Sequence, residues 1–207
     1  MMNDEKRLAG AYEILYAIHI GDKEIVFGEN PDIGAPARYF AGWCDKNELF
    51  ERYIGDETSD YLKAMRIFAD GLSAQIEKVE MERAAVTVPM APITAEQCYP
   101  NDLSQNIEGK VVAVRAGVLR SEYQTADRQL VLVTGGFGSH ANSRGSAVFC
   151  TNLYSGKHTR WERRDIQGEV KPEHLPEWAK ERLAVLQPEK DNNRQRIQGK
   201  PKNREPR

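Results

Sequence analysis

Tyr12-Glu13-Ile14-Leu15-Tyr16-Ala17-Ile18-His19-Ile20-Gly21-Asp22-Lys23-Glu24-Ile25-Val26-Phe27 reads as two strands around a two-residue turn. β-Branched and aromatic residues, which fit a pleated, half-buried surface, dominate the first arm. Strand alternation puts Tyr12, Ile14, Tyr16, Ile18 and Ile20 on one face and His19 on the solvent side. Gly21-Asp22 places glycine first in the turn, as a type II′ hairpin requires. In the return arm Ile25 and Phe27 alternate with Glu24 and Val26.

Beyond the hairpin the pattern changes period. Residues 30–36 are irregular by composition, and Phe40 to Tyr53 is expected to contain a helix, with Asp45-x-x-Glu48 as its capping box. Tyr61, Met65, Phe68, Leu72, Ile76 and Val79 step by three or four, so they form the apolar stripe of a second helix. Thr58 and Ser59 are its candidate N-caps. Ala84 to Val88 reads as a short strand stopped by Pro89. Residues 89–109 hold three prolines and few aliphatic pairs, which marks a connection between lobes. Within it, Thr94-x-x-Gln97 is a capping box for one helical turn.

The second half is β-rich. Val111–Val114, Gln129–Thr134, Ala147–Leu153 and His158–Arg163 are expected strands, and Ser155-Gly156-Lys157 turns the third onto the fourth. Pro176 suits the first turn of a terminal helix that docks through Trp178, Ala179, Leu183 and Leu186. The expected fold is therefore α+β: an N-terminal β-hairpin with amphipathic helices, then a C-terminal antiparallel sheet with a short terminal helix. The expected division is a hairpin-plus-helices lobe over 1–93, a connection over 94–110, a β-rich lobe over 111–186 and a disordered basic tail over 187–207.

Composition narrows the function classes. The 207 residues are 40% hydrophobic and 29% charged, with a mean hydropathy of −0.63. No run approaches the roughly 18 apolar residues needed to span a bilayer, and Met1 to Arg7 has no apolar core of a secretory signal. Cys44, Cys98 and Cys150 are odd in number and far apart, which argues for a reducing cytoplasm and against a zinc ribbon. Residues 187–207 carry seven basic and three acidic side chains, a net of +4. Residues 1–186 carry 22 basic and 28 acidic, a net of −6. The tail either neutralises phosphates or is a solvated terminus, and it has no aromatic residue to stack on a base.

The loop Thr134-Gly135-Gly136-Phe137-Gly138-Ser139-His140-Ala141-Asn142-Ser143-Arg144-Gly145 is the most distinctive motif. Gly136-x-Gly138-x-x-Ala141 matches the letters of a dinucleotide fingerprint, but that fingerprint must open a helix, and a strand follows here. What remains is a β–loop–β connection, long for its task and carrying His140 and Arg144. Arg144 offers a planar fork for carboxylate or phosphate; the plainer reading is a pairing with a carboxylate of its own fold. In Arg160-Trp161-Glu162-Arg163-Arg164, alternation puts Arg160, Glu162 and Arg164 on one face and Trp161 with Arg163 on the other. Trp161 is then a core anchor, and the arginine face is open to an acidic partner. Asp165-x-x-x-Glu169-x-Lys171 is similar to a metal-dependent nuclease pattern, with its acids unusually close together. His19, His140, His158 and His174 lack the spacing of a helical metal site. Cys150 lies in an apolar strand, where a buried, inert thiol is usual.

The segments Leu119–Tyr123, Val133–Gly138, Arg144–Phe149, Arg160–Arg163 and Val170–Ala179 together resemble uncharacterised accessory proteins of bacterial conjugative elements and prophages. The resemblance spans roughly residues 11–186 and brings no catalytic residues. It implies a mobile-element setting, in which cargo adjusts conjugation, regulation or host defence. The expected function is a non-enzymatic interaction protein: an anti-defence, anti-CRISPR-like inhibitor of a nucleoprotein effector. Its partner is then a host or mobile-element protein, with nucleic acid a further partner through the tail and no membrane involved. The expected binding residues are Gly136, Gly138, His140, Arg144, Arg160 and Arg164, with no catalytic residue, metal or cofactor. The alternatives are a metal-dependent nucleic-acid-processing enzyme and a nucleic-acid-binding accessory protein.

Overall fold

In a computed structural model that describes residues 6–46 and 50–186, the chain is α+β and divides into two units, Met1–Val86 and Thr87–Arg207. The first unit holds strands β1 (Leu8–Ala9), β2 (Tyr12–Ile20), β3 (Lys23–Glu29), β4 (Tyr39–Lys46) and β5 (Glu51–Thr58), paired antiparallel in that order. Ile20 pairs with Lys23 across Gly21, whose φ of 62° is the left-handed conformation the turn demands.

Four expectations for this unit are corrected. Leu15 is the extra residue of a β-bulge, because Ile14 faces Gly28 while Tyr16 already faces Phe27. The bulge moves the side chains after it to the opposite face, so Tyr12 and Ile14 pack with Val26 and Phe40, but Tyr16 lies against Phe27 and Phe68. Phe40 to Tyr53 is a hairpin, not a helix. Its first arm buries residues of both parities: Phe40 and Cys44 on one face, Ala41 on the other. A helix would bury one stripe at a period of 3.6, which these residues do not supply. Residues 47–49, which include Glu48 of the expected capping box, lie outside the described residues.

The amphipathic helix α1 (Tyr61–Ala84) covers the face formed by Ile25, Phe27 and Ala41, burying Ala64, Phe68, Gln75 and Val79. Its N-cap is Asp60, not Thr58 or Ser59: the carboxylate accepts the Lys63 N–H at 3.1 Å, and Thr58 Oγ1 accepts the Asp60 N–H. α1 continues through Ala84, so no strand forms at 84–88. The sheet is strongly rolled. From just before β1, Arg7 donates to Tyr53 on β5 at 2.6 Å and to both carboxylate oxygens of Glu24 on β3 at 2.9 and 2.6 Å.

In the second unit, strands β6 (Val111–Val114), β7 (Leu130–Gly135), β8 (Ala147–Asn152) and β9 (His158–Glu162) occupy the expected places, with a short helix α2 (Ala126–Gln129) leading into β7. The sequence reading missed β10 (Ile166–Glu169). It pairs with β6 and completes the order β10-β6-β7-β8-β9. β6 and the first four residues of β7, Leu130 to Val133, are apolar throughout because both sheet faces are covered there. One face packs Val111, Ala113, Leu130 and Leu132 against Ile93, Cys98 and a terminal helix over 177–186 that docks through Trp178, Ala179, Leu183 and Leu186. The other packs Val112, Val114, Val131 and Val133 against Ile107, Ile166 and Trp161.

This sheet is rolled as well. Glu162 closes β9 opposite Ala147, and Ile166 opens β10 opposite Val114, four residues later and at the other edge of the sheet. Four residues reach no more than about 14 Å, so the two edges approach each other. A 3₁₀ turn, Arg163–Asp165, bridges them. Residues 94–110 do not hang between lobes; they wrap the β10 edge. The Thr94–Gln97 capping box forms its single turn, Cys98 bridges to Val170, and Tyr99 N–H donates to Glu169. Residues 187–207, the expected basic tail, lie outside the described residues. No helix among the described residues is long and apolar enough to cross a membrane.

Candidate functional site

The rolled edge of the second sheet opens into a cleft of about 680 Å³. Four segments reach it: Asn101 and Leu103 from the wrapping segment, Arg115 beyond β6, the loop from Gly138 to Ser146, and Glu162–Arg164 at the bridging turn.

The glycine loop is built for close packing. A Cβ at Gly136 or Gly138 would overlap the carbonyl oxygens of Ala147 or Ser146 on the returning chain, and one at Gly145 would overlap Phe137. These contacts, with a φ of 101° at Gly136, explain three glycines without a bound phosphate. The loop is pinned as it turns. Ser139 Oγ donates to the Gly136 carbonyl at 2.7 Å, Ile107 N–H donates to Ser139, and Asn142 N–H donates to Leu103 at 2.8 Å.

Arg163 is the strut between the segments. It is 4% exposed, and its guanidinium donates to Asn101 Oδ1 and to the carbonyls of Gly138, Asp102 and Gln105 at 2.7–3.2 Å. All four acceptors are neutral, and no carboxylate pairs with Arg163 among the described residues. Burial pushes its pKa down, and the more distant Asp102 charge partly opposes that shift. An arginine stays charged even so, which leaves a buried positive charge behind the cleft wall.

The remaining cations face solvent. Arg144 has no hydrogen-bond or ion-pair partner among the described residues, so the plainer alternative, a pairing with a carboxylate of its own fold, is not formed. Arg164 Nε lies 3.9 Å from Asp165, a long approach. Arg115 donates to the Ile166 carbonyl at 3.4 Å. Against these four arginines the cleft has one acid, Glu162. It is held by Arg160 at 2.8 Å and by the Ser146 hydroxyl, which chiefly draws its pKa below the usual carboxylate value. Such a site is suited to a carboxylate or phosphate group that accepts from more than one planar fork.

Of the residues singled out in the sequence, Gly138, His140, Arg144 and Arg164 line the cleft. Gly136 shapes the loop from outside the lining, and Arg160 borders it through Glu162. Asn101, Arg115 and Arg163 were not anticipated. For Arg163 a signal existed, since alternation placed it on the inward face beside Trp161. The nuclease-like letters do not converge. Asp165 accepts the Glu162 N–H, Glu169 pairs with Lys110 at 2.5 Å, and Lys171 donates to the Glu96 carbonyl. Among the described residues no three His, Cys, Asp or Glu side chains are grouped to hold a metal. Trp161 packs on the core as expected, and Cys150 is buried, its thiol pushed up to about 12 by desolvation.

No family model, curated protein or solved structure matches this chain.

Proposed function

We propose that this chain is a non-enzymatic interaction protein that grips an anionic group of a nucleoprotein through the arginine cleft of its second unit. The supporting observation is the pairing of solvent-facing Arg144 and Arg164 with a buried Arg163 that has only neutral acceptors. A fixed positive charge in a partly desolvated cleft attracts anions more strongly than the same charge on an open surface. The first unit complements it. Residues 1–86 carry ten basic and seventeen acidic side chains, a net of −7, whereas residues 87–186 carry twelve and eleven, a net of +1. A nucleoprotein presents both phosphates and basic protein surface, so it offers a match to each unit.

An anti-defence, anti-CRISPR-like role is the form of this reading that fits the mobile-element resemblance. Three buried, unpaired cysteines fit a reducing cytoplasm. Affinity capture from a bacterial lysate, comparing wild type with Arg144→Glu/Arg164→Glu, tests the reading. The wild type is expected to retain a nucleoprotein that the variant loses. Identical captured material from both proteins overturns it.

A further inference from the structure

We infer that the cleft and the adjoining face of β8 and β9 form a binding site for single-stranded nucleic acid, with backbone phosphates on the arginines and bases on exposed phenylalanine rings. This rests on the anion-gripping reading and names the group that enters. The cleft alone accepts any phosphate or carboxylate; the choice between them comes from what borders it. Phe137 is 77% exposed, at the start of the loop, and its β-carbon lies where Gly145 leaves room for it. Phe149 is 50% exposed on β8 and pairs directly across the strands with Arg160.

Cross-strand partners share a face, so Phe149 and Arg160 stand side by side on the outer surface. Arg160 then leads to the cleft through its ion pair with Glu162. Gly135 pairs with Phe149, and Phe137 follows Gly135 by two residues, so the two rings are carried by neighbouring chain segments. Rings and cations therefore alternate along these segments: Phe149 beside Arg160, and Phe137 against Gly145, which follows Arg144 in the chain.

That alternation fits a chain whose flat faces and negative charges also alternate. Every base offers a π face whatever its identity, and stacking on exposed aromatics is how sequence-tolerant single-strand sites gain affinity. A duplex hides those faces and leaves only phosphates to contact. An acidic peptide would satisfy the arginines and leave both rings without a partner. Trp161, on the other face of β9, packs on the core as expected, and its indole N–H donates to Thr159. The residues that stay outside are Phe149 and Phe137.

Fluorescence anisotropy of the full chain with labelled dT12, rU12 and a 12-bp duplex, over 50–200 mM salt, tests the inference. The single strands are expected to bind at least about tenfold more tightly than the duplex. Phe137→Ala is expected to weaken single-strand binding about tenfold, as loss of one stacked base does, while Phe137→Tyr retains it. Arg144→Ala/Arg164→Ala is expected to reduce the slope of log K against log salt by about 1.4, two phosphate contacts on a single strand. Equal affinity for duplex and single strand, or no effect of Phe137→Ala, overturns the inference. If Arg144→Glu/Arg164→Glu still abolishes lysate capture in that case, the anion-gripping reading stands, and the partner group is a duplex phosphate where the duplex binds and a carboxylate where no nucleic acid does. If capture is also unchanged, both fail together.

Discussion

Arg163 and Arg144 lie in one cleft and do opposite work. Arg163 holds four acceptors from two separate chain segments, so truncating it leaves the buried Gly138 carbonyl and three part-buried acceptors without that donor. Arg163→Ala is expected to cost about 3 kcal/mol, a fall in melting temperature on the order of 10 °C. Arg144→Ala, at a side chain with no described partner, is expected to leave the melting temperature within about 1 °C. Calorimetry on the two variants separates strut from contact, and similar falls in both would remove the distinction. In the first unit, Arg7 holds the Glu24 carboxyl below its ordinary 4.5, chiefly through their hydrogen bonds. A depressed carboxylate pKa adds stability that is complete above the unfolded value and lost as pH falls through the folded one. Acid titration followed by circular dichroism should show stability falling below about pH 4.5. Arg7→Gln should be less stable at pH 7 and flatter in that window; an unchanged acid profile contradicts the assignment.

Among the elements, β10 depends on a crossing that only glycine permits. A Cβ at Gly168 would overlap the Tyr99 carbonyl oxygen, which passes over the strand as residues 94–110 wrap the edge. Gly168→Ala is expected to cost on the order of 2–3 kcal/mol, read as a lower urea midpoint with unchanged slope. Gly117→Ala, where a Cβ meets nothing within 4 Å, is the control and should be neutral. What sequence reading could reach follows from the range of the interactions. The β2–β3 turn, the Met65, Phe68, Leu72 and Val79 part of the α1 stripe and the Thr94–Gln97 cap are set by residues within a few positions of one another and were legible, while Tyr61 and Ile76 of that stripe stay exposed. The Leu15 bulge, the β4–β5 hairpin and β10 are decided by partners across a sheet, so local pattern misread or missed them. The cleft divides the same way. Gly138, His140, Arg144 and Arg164 stand out in conspicuous contiguous motifs, whereas Asn101 and Arg115 join only because the sheet rolls until its edges meet.

At the scale of the whole molecule, the modest net charge conceals a division by unit, −7 in residues 1–86 against +1 in residues 87–186. The cleft is thus a local concentration of positive charge within a nearly neutral unit, and not part of a uniformly basic surface. An anion held in it should stabilise the folded protein by mass action, while general salt effects should not depend on Arg144 or Arg164. The direct measurement is thermal unfolding of the full chain across a pyrophosphate titration, with sodium chloride holding ionic strength constant, for wild type and Arg144→Ala/Arg164→Ala. The arginine cleft predicts a saturating rise in melting temperature for the wild type and none for the variant. An equal rise in both proteins, or no rise in either, would contradict it.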